Sequence, residues 1–208
     1  APPDDRRDGG IGRRDLAHDI YFGVRAGNET RWLGNLENVE YENETNVIRG
    51  TASTGGLALT VRYVSPFGYE GNAMVMLIEA ENTTGQAVET SLFAKANMKL
   101  GRGGNRTDPG NEAESISWNG SRGIETGPGG GHVIYAPIGS VDAVGCGADA
   151  DVYRQIEAGQ PLSGTAECQG NDQVLVIAKR LSIGAGESVS WGQAVLFVND
   201  SPADSRAG

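Results

Sequence analysis

The chain has 208 residues, which suits a single large all-β domain with enough chain to bury a core without a metal ion. Its formal net charge of −10 disfavours nucleic acid and anionic membrane surfaces as partners, because like charges repel. The 32 glycines weaken helices and supply turns, so the composition favours many short strands. Apolar runs reach only strand length, so we expect no membrane insertion.

Both ends of the chain lack a periodic pattern. Residues 1–14 (APPDDRRDGGIGRR) are charged and rich in Gly and Pro, and residues 201–208 share this character. Such segments bury little apolar surface, so we expect a disordered leader or linker, a β-sandwich domain over residues 15–200, and a tail or linker. Because the first Met is Met74, we also expect an N-terminus that was cut, by a signal peptidase or by design.

Alternating apolar and polar residues run through the middle of the chain, as is typical of strands with one buried face. One of these segments, 73–81 (AMVMLIEAE), is almost continuously apolar, which predicts a central strand covered on both faces. The predicted strands are residues 19–25, 57–64, 73–81, 88–100, 114–118, 132–136, 173–181 and 188–199.

Short turn sequences separate two pairs of these strands. Residues 82–85 (NTTG) follow one strand and residues 183–187 (IGAGE) follow another, and both contain residues that tolerate a positive φ. We therefore predict two long antiparallel hairpins. Together with the alternating pattern, they predict a large antiparallel two-sheet β-sandwich with one short helix.

The predicted helix covers residues 149–158 (DADVYRQIEA), where Val152, Tyr153 and Ile156 share one face. It lies between the two cysteines of the chain, Cys146 and Cys168. Their spacing fits no metal site, so we predict a disulfide and a secreted, periplasmic or extracellular location, with two reduced thiols as the alternative.

Sequons are a second feature typical of secreted proteins, although they serve as glycosylation sites only in a eukaryotic secretory host. Chance recurrence in Asn-rich loops is the alternative. The sequons begin at Asn28, Asn43, Asn82, Asn105, Asn119 and Asn199.

Candidate catalytic residues do not emerge from the pattern. Hydrolysis normally needs a nucleophile, a base and an orienting group, and neither His18 nor His132 belongs to such a motif. We expect His132 to be a surface or half-buried strand residue. Asp149 and Asp151 alternate in one segment and are candidate ligands of a structural calcium ion, with a solvated acidic loop as the alternative. No other cofactor is expected.

The three tryptophans are candidate platforms for sugar rings. Trp118 and Trp191 lie in strand patterns, so we expect both to pack in the core. Trp32 lies near a turn beside Arg31 and is therefore the candidate carbohydrate-binding residue.

Two long segments, VMLIEAENTTGQAVETSLFAKANMKL (75–100) and VLVIAKRLSIGAGESVSWGQAVLFV (174–198), carry a family resemblance. They resemble the supersandwich, the large β-sandwich domain that precedes the (α/α)6 barrel in bacterial glucoamylases and related glycoside hydrolases and phosphorylases. The resemblance covers residues 19–199 through turn-and-strand motifs. It implies that the catalytic carboxylates lie in a barrel with no counterpart here, so no catalytic residue carries over.

The resemblance thus implies a non-catalytic accessory module whose partner is an adjacent catalytic domain or a carbohydrate. Two other functions stay open, a stand-alone carbohydrate-binding module and an extracellular structural protein without a small ligand. Exposed coplanar aromatic rings on a concave sheet would favour sugar binding, and large apolar interfaces would favour the accessory module.

Overall fold

The computed structural model of the chain describes residues 17–66, 72–98, 113–127 and 132–198. The predicted leader and tail, the sequons at Asn105 and Asn199, and the side chain of His18 lie outside this part. The predicted domain boundaries therefore stay a prediction.

The described ranges contain fourteen strands and one helix, α1 (Asp149–Glu157). The strands are β1 (Ala17–Ala26), β2 (Glu29–Trp32), β3 (Glu37–Tyr41), β4 (Val47–Thr54), β5 (Leu57–Val64), β6 (Asn72–Asn82), β7 (Val88–Met98), β8 (Glu114–Trp118), β9 (Gly123–Thr126), β10 (His132–Ile138), β11 (Ala143–Ala148), β12 (Glu167–Gly170), β13 (Gln173–Ile183) and β14 (Ser188–Val198).

These strands form two packed sheets, which confirms the predicted all-β sandwich. The smaller sheet has the order β11-β13-β7-β1-β2, and the larger one the order β12-β8-β9-β10-β14-β6-β5-β4-β3. Neighbouring strands are antiparallel throughout both described sheets. Helix α1 lies on the outer face of the smaller sheet, where it contacts β11 and β13.

The main core lies between the sheets and follows the alternation of the strands. In β5, Leu57, Leu59 and Val61 are buried while the residues between them are half-buried. Across the core, Phe22 of β1 contacts Trp191 of β14 with ring centroids 6.3 Å apart. Trp191 is buried, and Trp118 packs against the same cluster, as predicted for both.

The predicted hairpins are wrong, although their strands are present. Strand β6 belongs to the larger sheet and β7 to the smaller one, and β13 and β14 are divided in the same way. The two turns are therefore arches that carry the chain from one sheet to the other. An arch and a hairpin both let two strands direct their apolar residues into one core, so the alternation does not distinguish them.

Strand β6 also differs from its prediction on one face. Met76, Ile78 and Ala80 point into the core and are fully buried. Val75 and Leu77, on the opposite face, are only half-buried. The continuous apolar run thus combines one buried face with an outer face that is only half-buried, rather than two covered faces.

The disulfide between Cys146 and Cys168 is confirmed, with the two Cα atoms 5.8 Å apart. Cys146 lies in β11, the edge strand of the smaller sheet, and Cys168 lies in β12, the edge strand of the larger sheet. The bond therefore joins the two sheets along one lateral edge, and α1 lies within the loop that it closes.

Among the described residues, no helix is long and apolar enough to cross a membrane.

Candidate functional site

Helix α1 is fixed to the smaller sheet by a second apolar cluster. Val152 and Ile156 are the buried residues of the helix, and they lie against Phe93 of β7 and the outward-facing side chains of β13. Those β13 residues are Val174, Val176 and Ala178. The strand β13 is therefore apolar on both faces over this stretch, because one face meets the main core and the other meets the helix.

Trp32 lies at the side of this cluster rather than on an open face. Its indole is stacked on the ring of Tyr153, with centroids 5.4 Å apart and planes inclined by 21°. Its centroid lies 6.2 Å from that of Phe93, and its Nε1 donates a hydrogen bond to Glu157 at 2.6 Å. Trp32 thus anchors α1, and its predicted role in carbohydrate binding stays a prediction.

Asp149, at the first turn of α1, pairs with a buried lysine. The Nζ of Lys95 lies 2.8 Å and 3.0 Å from the two carboxylate oxygens, and 3.2 Å from the hydroxyl of Tyr21. Burial lowers the pKa of Lys95, but the hydrogen bond and charge of Asp149 outweigh it and hold that pKa above its ordinary value. The same Nζ lies 3.5 Å from the carboxylate of Asp19, so Asp149 shares this cation with a second, more distant carboxylate.

The second predicted calcium ligand, Asp151, is exposed on α1 and forms an ion pair with Arg154. It does not converge with Asp149 on a common point. Within the described ranges, no group of three or more His, Cys, Asp and Glu side chains is placed to hold a metal ion. The structural calcium ion stays a prediction.

A groove of about 410 Å³ opens where α1 ends, on the outer face of the smaller sheet. Its floor contains Arg25 of β1, Ser91 of β7 and Arg180 of β13, which are neighbours across the strands. Its wall is the segment 159–162, which follows the helix. The groove therefore combines two guanidinium groups with a small hydroxyl-bearing residue between them.

Arg25 is held in place by the end of the helix. Its Nη1 donates to Oγ1 of Thr30 at 2.7 Å and to the carbonyl oxygens of Ile156 and Glu157 at 3.3 Å and 3.4 Å. A cation at this position is favourable because the last carbonyls of a helix carry partial negative charge. Gly159 has a φ of +70°, and a side chain there would collide with the guanidinium.

A pair of carboxyl groups is buried on the inner side of the larger sheet. Glu125 of β9 is fully buried and accepts a hydrogen bond from the hydroxyl of Tyr135. Burial raises the pKa of Glu125 to about 8. The charge of Glu114 adds to this increase, and the hydrogen bond from Tyr135 opposes it. Glu114 is also buried and accepts a hydrogen bond from the backbone N–H of Gln173 at 3.2 Å.

His132 is buried more deeply than we predicted, on the outer side of β10. Its Nδ1 lies 3.0 Å from Oγ1 of Thr126 on the neighbouring strand β9. This contact engages one of the two ring nitrogens and links the side chains of neighbouring strands.

Exposed aromatic rings are few in the described part of the chain. Tyr41, on the edge strand β3, is 73% exposed, and Tyr153 on α1 is 39% exposed. They lie on different layers, so they do not form the coplanar pair that would favour sugar binding. Sequence patterns missed Tyr41, because β3 is exposed along its whole length and lacks alternation.

Several solved structures have a fold similar to that of this chain. A bacterial glucoamylase solved with acarbose superimposes with a TM-score of 0.63 at 9% identity, over 92% of this chain and 28% of that one. A kojibiose phosphorylase from the human microbiome gives 0.54 at 9% identity, over 89% of this chain and 23% of that one. A polysaccharide lyase gives 0.50 at 14% identity, over 89% of this chain and 26% of that one.

These likenesses confirm the predicted resemblance at the level of the fold. By sequence, no family model and no curated protein matches the chain. The chain spans about a quarter of the length of the solved structures that it resembles.

Proposed function

We propose that this chain is a non-catalytic, secreted accessory module of a carbohydrate-active protein. The observation that carries the proposal is that the fold of nearly the whole chain corresponds to one part of much longer carbohydrate-active enzymes. A fold that recurs as a part of larger enzymes is suited to work beside a catalytic domain.

The placement of the perturbed carboxyl groups supports a non-catalytic role. A general acid for glycoside cleavage needs a raised pKa, which Glu125 has, but it must also touch the glycosidic oxygen. Glu125 and Glu114 are enclosed between the two sheets, where a sugar ring cannot reach them. The raised pKa of Glu125 is therefore a consequence of its burial rather than a catalytic device.

The disulfide supports secretion. Cys146 and Cys168 are bonded across the sheets, and such bonds persist in oxidising compartments. We assign the chain to a periplasmic or extracellular location on this basis.

A second candidate function is a stand-alone carbohydrate-binding module. The groove beside Arg180 favours it, because a concave surface with convergent polar groups is the usual form of a small-ligand site. The two functions differ in whether the isolated chain binds saccharides without an adjacent domain.

The test combines a turnover assay and a binding assay on the purified chain. We expect no hydrolysis, phosphorolysis or elimination with a panel of oligosaccharides, because no substrate reaches the buried carboxyl groups. Turnover that disappears in Glu125→Gln or Glu114→Gln would overturn the proposal. Weak saccharide binding without turnover is the result expected of the accessory module. Strong saccharide binding without turnover would favour the stand-alone module, and neither binding nor turnover would favour a structural protein.

A further inference from the structure

The floor of the groove is organised by strand register. Ser91 of β7 is paired directly with Arg25 of β1 on one side and with Arg180 of β13 on the other. Neighbouring strands lie about 4.8 Å apart, so the two arginines flank the serine at nearly equal distances. All three residues point to the outer face of the smaller sheet, where they line the groove.

The two arginines differ in the hydrogen bonds that their guanidinium groups make within the protein. Arg25 is held by the last carbonyls of α1, which fixes its guanidinium at one side of the groove. Arg180 is exposed and its guanidinium forms no hydrogen bond within the described part of the chain. Its neighbour Lys179, by contrast, is held in an ion pair with Asp142 at 3.0 Å.

The charged side chains that line the groove have a net positive charge. Glu89 lies in the next row of the floor and accepts a hydrogen bond from the hydroxyl of Ser182. Asp142, near Arg180, is engaged by Lys179 and by the backbone N–H of Arg180. Two guanidinium groups against one lining carboxylate make the groove locally cationic in a chain of net charge −10.

The walls of the groove are apolar and fixed. Phe93 and Ala178 belong to the cluster beneath α1, and Leu162 packs against that cluster from the wall. The amide of Gln155 donates to the carbonyl of Pro161, and the N–H of Gly164 donates to Val144 at 3.0 Å, so the wall is attached at both ends. The apolar C–H face of a sugar ring can lie against these side chains while a charged group on the ring meets the arginines.

We propose that this groove binds an anionic sugar, through a carboxylate or sulfate group placed between Arg180 and Arg25. A planar guanidinium matches both anions with two parallel hydrogen bonds, and the Ser91 hydroxyl can donate a third. The hydroxyl groups of a neutral sugar can also accept hydrogen bonds from the arginines, but they carry no charge, so these hydrogen bonds are weaker. This inference rests on the proposed link with carbohydrates and names the ligand class of the groove.

The test measures binding by isothermal titration calorimetry with the whole chain. The probes are tetragalacturonate, a sulfated tetrasaccharide and neutral maltotetraose, so that the two anionic groups are distinguished from each other and from the sugar ring. We expect at least one anionic probe to bind about tenfold more tightly than maltotetraose, with an affinity that falls as salt rises.

Variants distinguish binding in the groove from nonspecific attraction of an anion to any exposed arginine. Arg180→Ala should weaken binding of the anionic probe about tenfold. Arg180→Lys should weaken binding less, because the positive charge remains while the paired N–H donors of the planar guanidinium are lost. Arg154→Ala is the matched control, since Arg154 is an exposed arginine on α1 outside the groove. Thermal unfolding of each variant confirms that the fold is retained.

Three results would overturn the inference. They are equal binding of maltotetraose, no binding of either anionic probe, and anionic binding that is unchanged in Arg180→Ala. None of these results bears on turnover, so failure of the groove is distinguishable from failure of the proposed non-catalytic role.

Discussion

The side-chain amide of Asn82, at the end of β6, donates a hydrogen bond to the backbone carbonyl of Ile183, at the end of β13, at 2.8 Å. The same amide donates to the carbonyl of Gln86 at 2.7 Å, and its Oδ1 accepts from the N–H and the hydroxyl of Thr84, each at 2.8 Å. A fully buried side chain thus links the two arches. Both amide hydrogens are used, so the sequon at Asn82 is not accessible to glycosylation in the folded protein.

The first prediction concerns this link. Replacing Asn82 by Ala should lower the free energy of unfolding by about 2–4 kcal/mol, because buried carbonyl and N–H groups in both arches lose their partners. Urea unfolding followed by far-ultraviolet circular dichroism measures the change. Asn46→Ala is the matched control, since Asn46 makes one hydrogen bond, to Ser65, at an exposed position. Equal losses in the two variants would contradict the role of the link.

The second prediction is a pH dependence caused by Glu125. Its pKa is about 8 in the folded protein against an ordinary value of 4.5, so the folded state binds one more proton between these values. The free energy of unfolding should therefore fall as pH rises from about 4.5 to 8 and level off above. A shift of this size corresponds to a change in the free energy of unfolding on the order of 5 kcal/mol.

Glu125→Gln removes the titrating group while keeping an acceptor for Tyr135. Subtracting its stability profile from that of the unaltered chain, measured by urea unfolding at pH 5, 6, 7 and 8, should isolate the slope due to Glu125. Glu29→Gln, at an exposed position, serves as the control and should leave the slope unchanged. Parallel profiles for the unaltered chain and Glu125→Gln would refute the assignment.

The third prediction concerns the bond between the sheets. The disulfide closes a loop with a sequence separation of 22 residues. Replacing both cysteines by Ala should lower the free energy of unfolding by about 3 kcal/mol, because the unfolded chain regains the entropy of the open loop. Differential scanning calorimetry should show a melting temperature lower by roughly 6–12 °C. An unchanged melting temperature would mean that the bond adds nothing to stability.

The fourth prediction separates anchoring from binding at Trp32. Trp32→Ala should lower the free energy of unfolding by about 2–3 kcal/mol, because α1 loses its stacking partner for Tyr153 and the hydrogen bond to Glu157. Tyr41→Ala, at an exposed ring, should change it by less than about 0.5 kcal/mol. Urea unfolding measures both variants.

The conservative variant Trp32→Phe keeps an aromatic ring and tests the predicted carbohydrate role. If its saccharide affinity by calorimetry equals that of the unaltered chain while its stability falls, Trp32 acts only as the anchor of α1. A loss of affinity with retained stability would establish the binding role instead.

The strands that the sequence predicted are those with a strong alternation or a long apolar run. Leu57–Val64 and Glu114–Trp118 are found with their predicted bounds. The pairing of strands was not predictable, because an arch and a hairpin need the same turn residues and the same alternation. What decides between them is the pairing of β6 with β14 and of β7 with β13, over distances in sequence that local patterns do not encode.

The missed strands and the groove share a physical cause. β3 is exposed along its length and β11 (AVGCGA) contains two glycines, so neither shows an apolar alternation. The groove depends on register: Arg25, Ser91 and Arg180 are far apart in sequence and meet only through the pairing of three strands. Cys146 and Cys168 were identified correctly because two cysteines allow one pairing.

The two lateral edges of the sandwich are joined in different ways. On one edge a covalent bond connects β11 and β12. On the opposite edge, Arg31 of β2 donates a hydrogen bond to the carbonyl of Ser53 at 2.5 Å and forms an exposed ion pair with Glu37 at 2.9 Å. Such contacts are weak and are reduced by salt. We therefore expect the two sheets to separate locally at the edge formed by β2 and β3, while the disulfide keeps the opposite edge closed. Amide hydrogens of β2 and β3 should then exchange with solvent before those of β11 and β12.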